Sequence, residues 1–420
     1  MNERLLQYIW QMQLFNKASL VTVKEESLQI IFPGNCNSNQ GPDFLEAKIK
    51  IVDTILAGSI EVHVKSSDWN NHKHSSDKNY NNVVLHVVWE DDNPLIALPT
   101  LVLNNRVSKL LLNKYEELMQ SRGFVPCENS IVNIHELVWH SWKERLLVDR
   151  LQKKSQQVLD YLEKSSNHWE EVFWWTLAGN FGIKVNKDCF EAIAQSVPVN
   201  LLAKHKHSIH QLEALLLGQA GLLNKEFQEE YPKLLRREYD FCKTKYQLKE
   251  IAITPSSLRM RPSSFPVIRL AQLAMLVHQS LHLFSKIKES ESLIEIKKML
   301  DVTANDYWHY HFAIDEPSSY KPKHLGAQMV DIILINTVIP VLFSYGHYYN
   351  ETVYKDKALK WLEQIKAEKN NITKNWMHLS IVNQNAFDSQ SLIELKTNYC
   401  DKRRCLECAI GNALLRKSTS

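Results

Sequence analysis

The chain of 420 residues carries no P-loop and no GxGxxG, GxSxG or HExxH pattern. Nucleotide hydrolysis and zinc-protease chemistry therefore gain no support. A run of about 18 apolar residues is also missing, so no membrane span and no membrane partner are expected. The opening stretch "MNERLLQYIWQMQLF" lacks a basic region followed by a long apolar core. It reads as an amphipathic helix, with Leu6, Ile9 and Trp10 on its apolar stripe, and not as an export signal. Neither sign of charge dominates: 50 Lys and Arg against 47 Asp and Glu leave a net charge of +3. That balance neither demands nor excludes a nucleic-acid partner, because local patches matter more than the total. Seven cysteines are an odd number in a large chain without an export signal. A disulfide framework is not expected, and a cytoplasmic location is.

The composition is that of a globular chain, 44% apolar and 23% charged. At roughly 100–200 residues per domain, two or three domains are expected. From about 19 to 103, "SLVTVKE", "SLQIIF", "AKIKIVD", "GSIEVHVK", "NNVVLHVVWE" and "LIALPTLVL" read as strands separated by Gly, Pro, Asn and Asp. Beyond about 105 the pattern turns helical, as in the stretches 135–164, 210–223, 268–287 and 358–371. Pro262 and Pro266 mark a break between helices. The expected architecture is α+β: a leading helix and a mixed or antiparallel sheet over 1–115, then a helical domain over 116–420.

The densest chemistry lies in "GSIEVHVKSSDWNNHKHSSD", residues 58–77. In a strand, side chains alternate faces. Glu61, His63 and Lys65 then share one face, and Val62 and Val64 the other. Upstream, Asp43 follows a Gly-Pro pair at the start of the preceding strand, and the short connection predicts an antiparallel hairpin. A register with Asp43 opposite His63 or Lys65 brings the two carboxylates together; a slip of one residue separates them. Two converging carboxylates suit Mg²⁺ or Mn²⁺, and a neighbouring lysine can stabilise developing negative charge. A charged strand face is more often simply solvated. His72 and His74 read as part of a polar exit loop, with a weak zinc signal.

These residues resemble the PD-(D/E)xK nuclease superfamily over roughly the first 105 positions: "PD" at 42–43, Glu61 on a strand, and Lys65. The resemblance implies a restriction-endonuclease-like fold with the metal carboxylates on adjacent strands, and phosphodiester hydrolysis in nucleic acid. Glu3 would match the helical glutamate found in many members. The family's lysine stands two positions after the acid, where this chain has His63. Either His63 or Lys65 substitutes, or the protein is a catalytically degenerate scaffold that binds nucleic acid or another protein. The whole chain is also similar to an uncharacterised bacterial family, a domain of unknown function. "NQGPDFLEAKIKI", "EVHVKSSDWNNHKH", "YNNVVLHVVWEDD", "RPSSFPVIRLAQLA" and "YCDKRRCLECAIG" carry that likeness, which brings no activity with it.

Two further features bear on partners. Cys400, Cys405 and Cys408 have metal-ligand spacing for zinc or an iron–sulfur cluster, with Cys127 the best fourth ligand and Cys36 or a histidine as alternatives. Arg259, Arg261 and Arg269 stand near a helix start, where arginine suits phosphate. The aromatic groups "HWEEVFWW" and "DYWHYHF" fit a helical core better than a base-stacking platform.

Overall fold

In a computed structural model, residues 1–37, 39–93, 97–280 and 282–417 are described, without the side chain of residue 133. The chain divides into two compact units. The first comprises residues 1–142, 378–380 and 394–420; the second comprises 143–377 and 381–393. The expected boundary at 115/116 followed composition. These units divide later, and the cysteine-bearing C-terminal segment groups with the sheet and not with the helices.

The first unit opens with α1 (Glu3–Gln11), capped by the Asn2 side chain, which accepts the Leu5 N–H at 2.9 Å. A mixed sheet follows, built from β1 (Leu28–Phe32), β2 (Asn35–Cys36), β3 (Phe44–Ile51), β4 (Thr54–Lys65), β5 (Val83–Glu90) and β6 (Thr100–Val102). The order is β1-β3-β4-β5-β6, with β2 also pairing to β3. The β1–β3 and β3–β4 pairs are antiparallel; β4–β5 and β5–β6 are parallel. The stretch expected as a strand over 19–25 forms a turn instead. Thr22 Oγ1 accepts the Lys24 and Glu26 N–H groups, and Glu25 takes a left-handed φ of 63°. Residues 95 and 96 of the last expected strand lie outside the described residues.

The stripe on α1 behaves as its spacing predicts. Leu6, Ile9 and Trp10 are fully buried together with Phe44, Ile49, Ile60, Val62, Leu85 and Val87. Each such side chain contributes about 1.5–3 kcal/mol of transfer free energy, so this face fixes how α1 lies on the sheet. Two irregularities set the registers of the β3–β4 and β4–β5 pairs. One lies between Phe44 and Ala47, where Glu46 is left-handed at φ 61°; the other lies between Ser59 and Ile60. At Gly58, a Cβ would stand 2.4 Å from the Asn82 carbonyl oxygen and 2.5 Å from Val84 Cγ1. Only glycine allows β4 and the approach to β5 this close.

The second unit is helical, with a small hairpin of His311–Ala313 and Glu316–Pro317. Pro266 opens the helix Pro266–Gln279. The stretch expected as one helix over 268–287 is two, because His282 is left-handed at φ 54° before Leu283–Glu289. Phe173, Trp174 and Trp308 are buried core, as expected of those aromatic groups. The expectation of no span meets one exception: the helical stretch Ala327–Tyr348 is long and apolar enough to cross a membrane by length and composition. Of its apolar window, 72% is buried inside the protein, the behaviour of a core helix.

Candidate metal centre

The hairpin of β3 and β4 pairs Phe44 with Ile60, which sets Asp43 beside Glu61 and not opposite His63 or Lys65. Two reciprocal bonds lock this end. The Asp43 backbone N–H donates to Glu61 Oε2 at 3.1 Å, and the Val62 N–H donates to Asp43 Oδ2 at 3.1 Å. Gln7, on α1, donates to Asp43 Oδ1 at 2.8 Å and also lies 3.4 Å from Glu3 Oε1. Glu3 thus stands at the rim, one helical turn before Gln7, while both oxygens of Asp43 are held by protein donors. Glu61 keeps Oε1 for other partners.

Those partners are histidines. Glu61 and His86 are register neighbours across the parallel β4–β5 pair. The face carrying Glu61, His63 and His86 is not solvated: their exposures are 5%, 1% and 0%. What covers it is the segment after β4. Ser66, fully buried, accepts the Asp92 and Asn93 N–H groups and donates to Asp91 Oδ1 at 2.6 Å, so the chain folds back over the end of β5. The short helix α2 (Asp68–Asn71) then brings in Trp69, whose ring lies against His74, His86 and Tyr80. Lys73 is left-handed at φ 60° and reverses the chain between His72 and His74. Such a backbone costs a non-glycine residue about 1–2 kcal/mol. The reversal buries His74 and leaves His72 exposed with its Nδ1 toward His63, so the expected polar loop borders the cluster.

One ring nitrogen from each of His63, His72 and His74 lies within 4.8 Å of the other two. His63 Nε2 is 3.4 Å from Glu61 Oε1 and 3.2 Å from His72 Nδ1. His74 Nε2 is 3.4 Å from the same Glu61 oxygen. On its other side, His63 Nδ1 meets His86 Nε2 at 2.9 Å. With the Nδ1 proton donated to His86, the Nε2 lone pair of His63 faces the cluster, as a metal-ligating imidazole requires. His74 Nε2 is buried and makes no hydrogen bond. His72 is exposed, so the cluster opens to solvent on that side.

The electrostatics describe a place short of positive charge. Burial, then the neighbouring Asp43 charge, pushes Glu61 up to about 8; burial pushes Asp43 up to about 6. Burial, then His86, His74 and His72, pushes His63 down to about 3, and burial pushes His86 down to about 4. His63 and His86 are therefore neutral donors.

Lys65 does not join them. Its side chain is 53% exposed and its ammonium lies 3.8 Å from Asp92 Oδ2. Arg259 and Arg261 are exposed, but Arg269 is 8% exposed and donates to Gln272 Oε1 at 3.0 Å. Its guanidinium is committed to the interior of its unit, so it is withdrawn as a phosphate contact. Cys127, Cys400, Cys405 and Cys408 all belong to the first unit and are free thiols. The sequence reading missed Gln7, Trp69 and Tyr80 and undervalued His72, His74 and His86. The density of histidine in "HKH" followed by His86 was the available signal.

The chain matches one family over residues 3–371, nearly its whole length. It belongs to the family described as protein of unknown function (DUF2851). The DUF2851 match takes in every residue of the histidine–carboxylate cluster and Cys127, and it ends before Cys400. No curated protein and no solved structure matches the chain.

Proposed function

We propose that this protein is a metal-dependent hydrolase of phosphodiester bonds in nucleic acid. Glu61, His63, His72 and His74 would hold the cation, with Asp43 completing the acid pair. The observation that carries this reading is the spacing of the donor atoms. Bonds of ~2.0–2.1 Å at tetrahedral angles put ligand atoms about 3.3–3.4 Å apart. Three of the six separations among these four donors are 3.2, 3.4 and 3.4 Å, and the three imidazole nitrogens lie within 4.8 Å of one another. Three imidazoles and a carboxylate suit Mn²⁺ or Zn²⁺ better than Mg²⁺, which favours oxygen ligands. A cation there would act as a Lewis acid toward a phosphoryl oxygen and activate water.

The protein's own groups do the rest. His86 orients His63, and Gln7 orients Asp43. His72, at the exposed rim, meets the substrate side. The choice of phosphodiester rests on the leading helix and on two acids carried by adjacent strands of a hairpin, the arrangement of the nuclease core this segment resembles. The exposed position of Lys65 favours a second reading, a scaffold that binds nucleic acid without cutting it.

The test is cleavage of single- and double-stranded DNA and RNA with Mn²⁺ or Zn²⁺, comparing wild type with Glu61→Ala and His74→Ala. Cleavage by wild type that both substitutions abolish is the expected result. Wild-type protein that binds metal and nucleic acid but cuts none of these substrates would replace the hydrolase by the scaffold.

A further inference from the structure

In the second unit, a cavity of about 740 Å³ opens between the helix Leu293–Leu300, the start of the helical stretch Ala327–Tyr348 and the loop 366–370. Cavities of about 300–1,000 Å³ are those that hold small molecules. Its floor is aliphatic. Val330 and Ile335 are 3% and 2% exposed, and Ile332 is half-buried, whereas Ile294 at the rim is 67% exposed. No aromatic ring lines the cavity. Bases are held by stacking on such rings, so the apolar part of a ligand here is an aliphatic chain and not a base.

The lining carries four lysines and three acids, and two of those acids are engaged. Asp331 pairs with Lys297 at 2.9 Å. Glu368 accepts from Gln390, which in turn accepts from Arg150 Nε at 2.6 Å. That leaves Lys298, Lys366 and Lys369 facing Asp301. These three lysines are exposed and, among the described residues, make no ion pair and no side-chain hydrogen bond. The mouth therefore holds uncommitted positive charge above an aliphatic floor. The walls are fixed by their own contacts. The Lys297–Asp331 pair joins two of them. In the third, Lys366 forms an antiparallel bridge with Asn385, the Glu368 N–H donates to Ser389 Oγ at 2.9 Å, and Glu368 O accepts from Thr373 Oγ1 at 2.8 Å. A cavity held this way loses little conformational freedom when it binds. Beside the floor the helix widens to a π turn over Leu334–Val338, a feature frequent at functional sites.

We infer that this cavity binds a small amphiphile, an aliphatic chain that ends in an anionic phosphate or carboxylate head. The chain lies on Ile294, Val330, Ile332 and Ile335, and the head meets Lys298, Lys366 and Lys369. Lysine presents a compact point charge on a flexible stem, which suits either head. The site belongs to the helical unit and stands independently of the chemistry proposed for the Glu61 cluster.

Calorimetry of the full chain with butyl, hexyl, octyl and decyl phosphate, each below its micelle-forming concentration, tests this. Affinity should rise about threefold to fourfold per added methylene. Decyl maltoside, with a neutral head, should bind at least about tenfold more weakly than decyl phosphate. The variants Lys298→Glu/Lys366→Glu and Ile294→Asp alter exposed positions, and circular dichroism checks that they fold. The double variant should lose at least about tenfold in affinity for decyl phosphate and gain affinity for decyltrimethylammonium. Ile294→Asp should weaken decyl phosphate by about tenfold. One measurement needs no variant: decyl phosphate should slow amine labelling of Lys298, Lys366 and Lys369, mapped by mass spectrometry, and leave that of exposed Lys65 unchanged. Vesicles of phosphatidylglycerol separate two sources of the ligand. Cosedimentation that the double variant loses assigns a membrane lipid; decyl phosphate binding without cosedimentation assigns a free amphiphile. Decyl phosphate that fails to bind, binds no tighter than decyl maltoside, or keeps full affinity for the double variant would overturn the proposal. AMP binding more tightly than butyl phosphate would overturn it in favour of a nucleotide site.

Discussion

Glu61→Gln distinguishes a metal ligand from a structural acid by the sign of its effect. With no cation bound, the folded protein holds the Glu61 carboxyl up to about 8, against an ordinary value of 4.5. Between those values the unfolded chain has released a proton that the folded chain still holds. The stability this group contributes is therefore complete below 4.5 and is lost as pH rises toward 8. At ~1.36 kcal/mol per unit, the ceiling of that loss is about 5 kcal/mol. Gln keeps an oxygen for the Asp43 N–H and carries no charge, so the variant escapes the loss. In chelator at pH 8 it should be more stable than wild type by about 2–5 kcal/mol, and near pH 4.5 the two should agree within about 0.5 kcal/mol. Added Mn²⁺ or Zn²⁺ should narrow or reverse the order. At 100 times its dissociation constant, a ligand stabilises the folded state by about 2.7 kcal/mol, and the variant lacks the central oxygen donor. Urea unfolding followed by circular dichroism, at both pH values with and without metal, reads all four quantities. A variant less stable than wild type in chelator at pH 8 would refute the reasoning, because Glu61 would then be stabilising the metal-free fold. Equal stabilisation of both proteins by metal would refute the ligand assignment.

Gln7→Ala leaves Asp43 without its side-chain donor and should weaken metal binding or activity by about 10–100-fold at unchanged secondary structure, read by calorimetry. Lys65→Ala should change stability by less than about 1 kcal/mol and leave metal affinity alone, because its ion pair with Asp92 is half-exposed; a large loss of affinity would return Lys65 to the centre. Gly58→Ala should destabilise by about 1–3 kcal/mol through the clash with Asn82 and Val84, and should weaken metal binding as β4 and β5 shift. In the second unit, fully buried Glu213 is pushed up to about 7 by burial, while Tyr231 donates to it at 2.7 Å. Its contribution is present below 4.5 and lost as pH rises through 7. Glu213→Gln should therefore gain about 2–3 kcal/mol relative to wild type between pH 4.5 and 8 in urea titrations, while an unchanged difference would show that Glu213 stays ionised in the folded state.

The elements legible in the sequence are those whose pattern is local. The stripe on α1, the hairpin of β3 and β4, and the long helix Glu136–Lys164 follow from spacing alone. The failures are also physical. Residues 19–25 have the β-branched content of a strand, but Thr22 satisfies the backbone locally and closes a turn. Arg269 sits near a helix start like Arg261, yet only packing decides that it faces inward. The apolar character of 327–348 is interrupted by polar residues, and 72% of its apolar window is buried inside the protein.

For the candidate centre, sequence alone determined that Glu61 and His63 share a strand face and that Asp43 begins the neighbouring strand. Period-two alternation and a short connection suffice for that. Tertiary structure decided the chemistry. The left-handed Lys73 buried His74 and set His72 at the rim, the β4–β5 pairing set His86 beside Glu61, and the Ser66 brace closed a cover over a face that composition alone would leave in water. Burial then held His63 and His86 neutral and pushed both acids up. Burial and convergence depend on residues far apart in the chain, and no local pattern carries them.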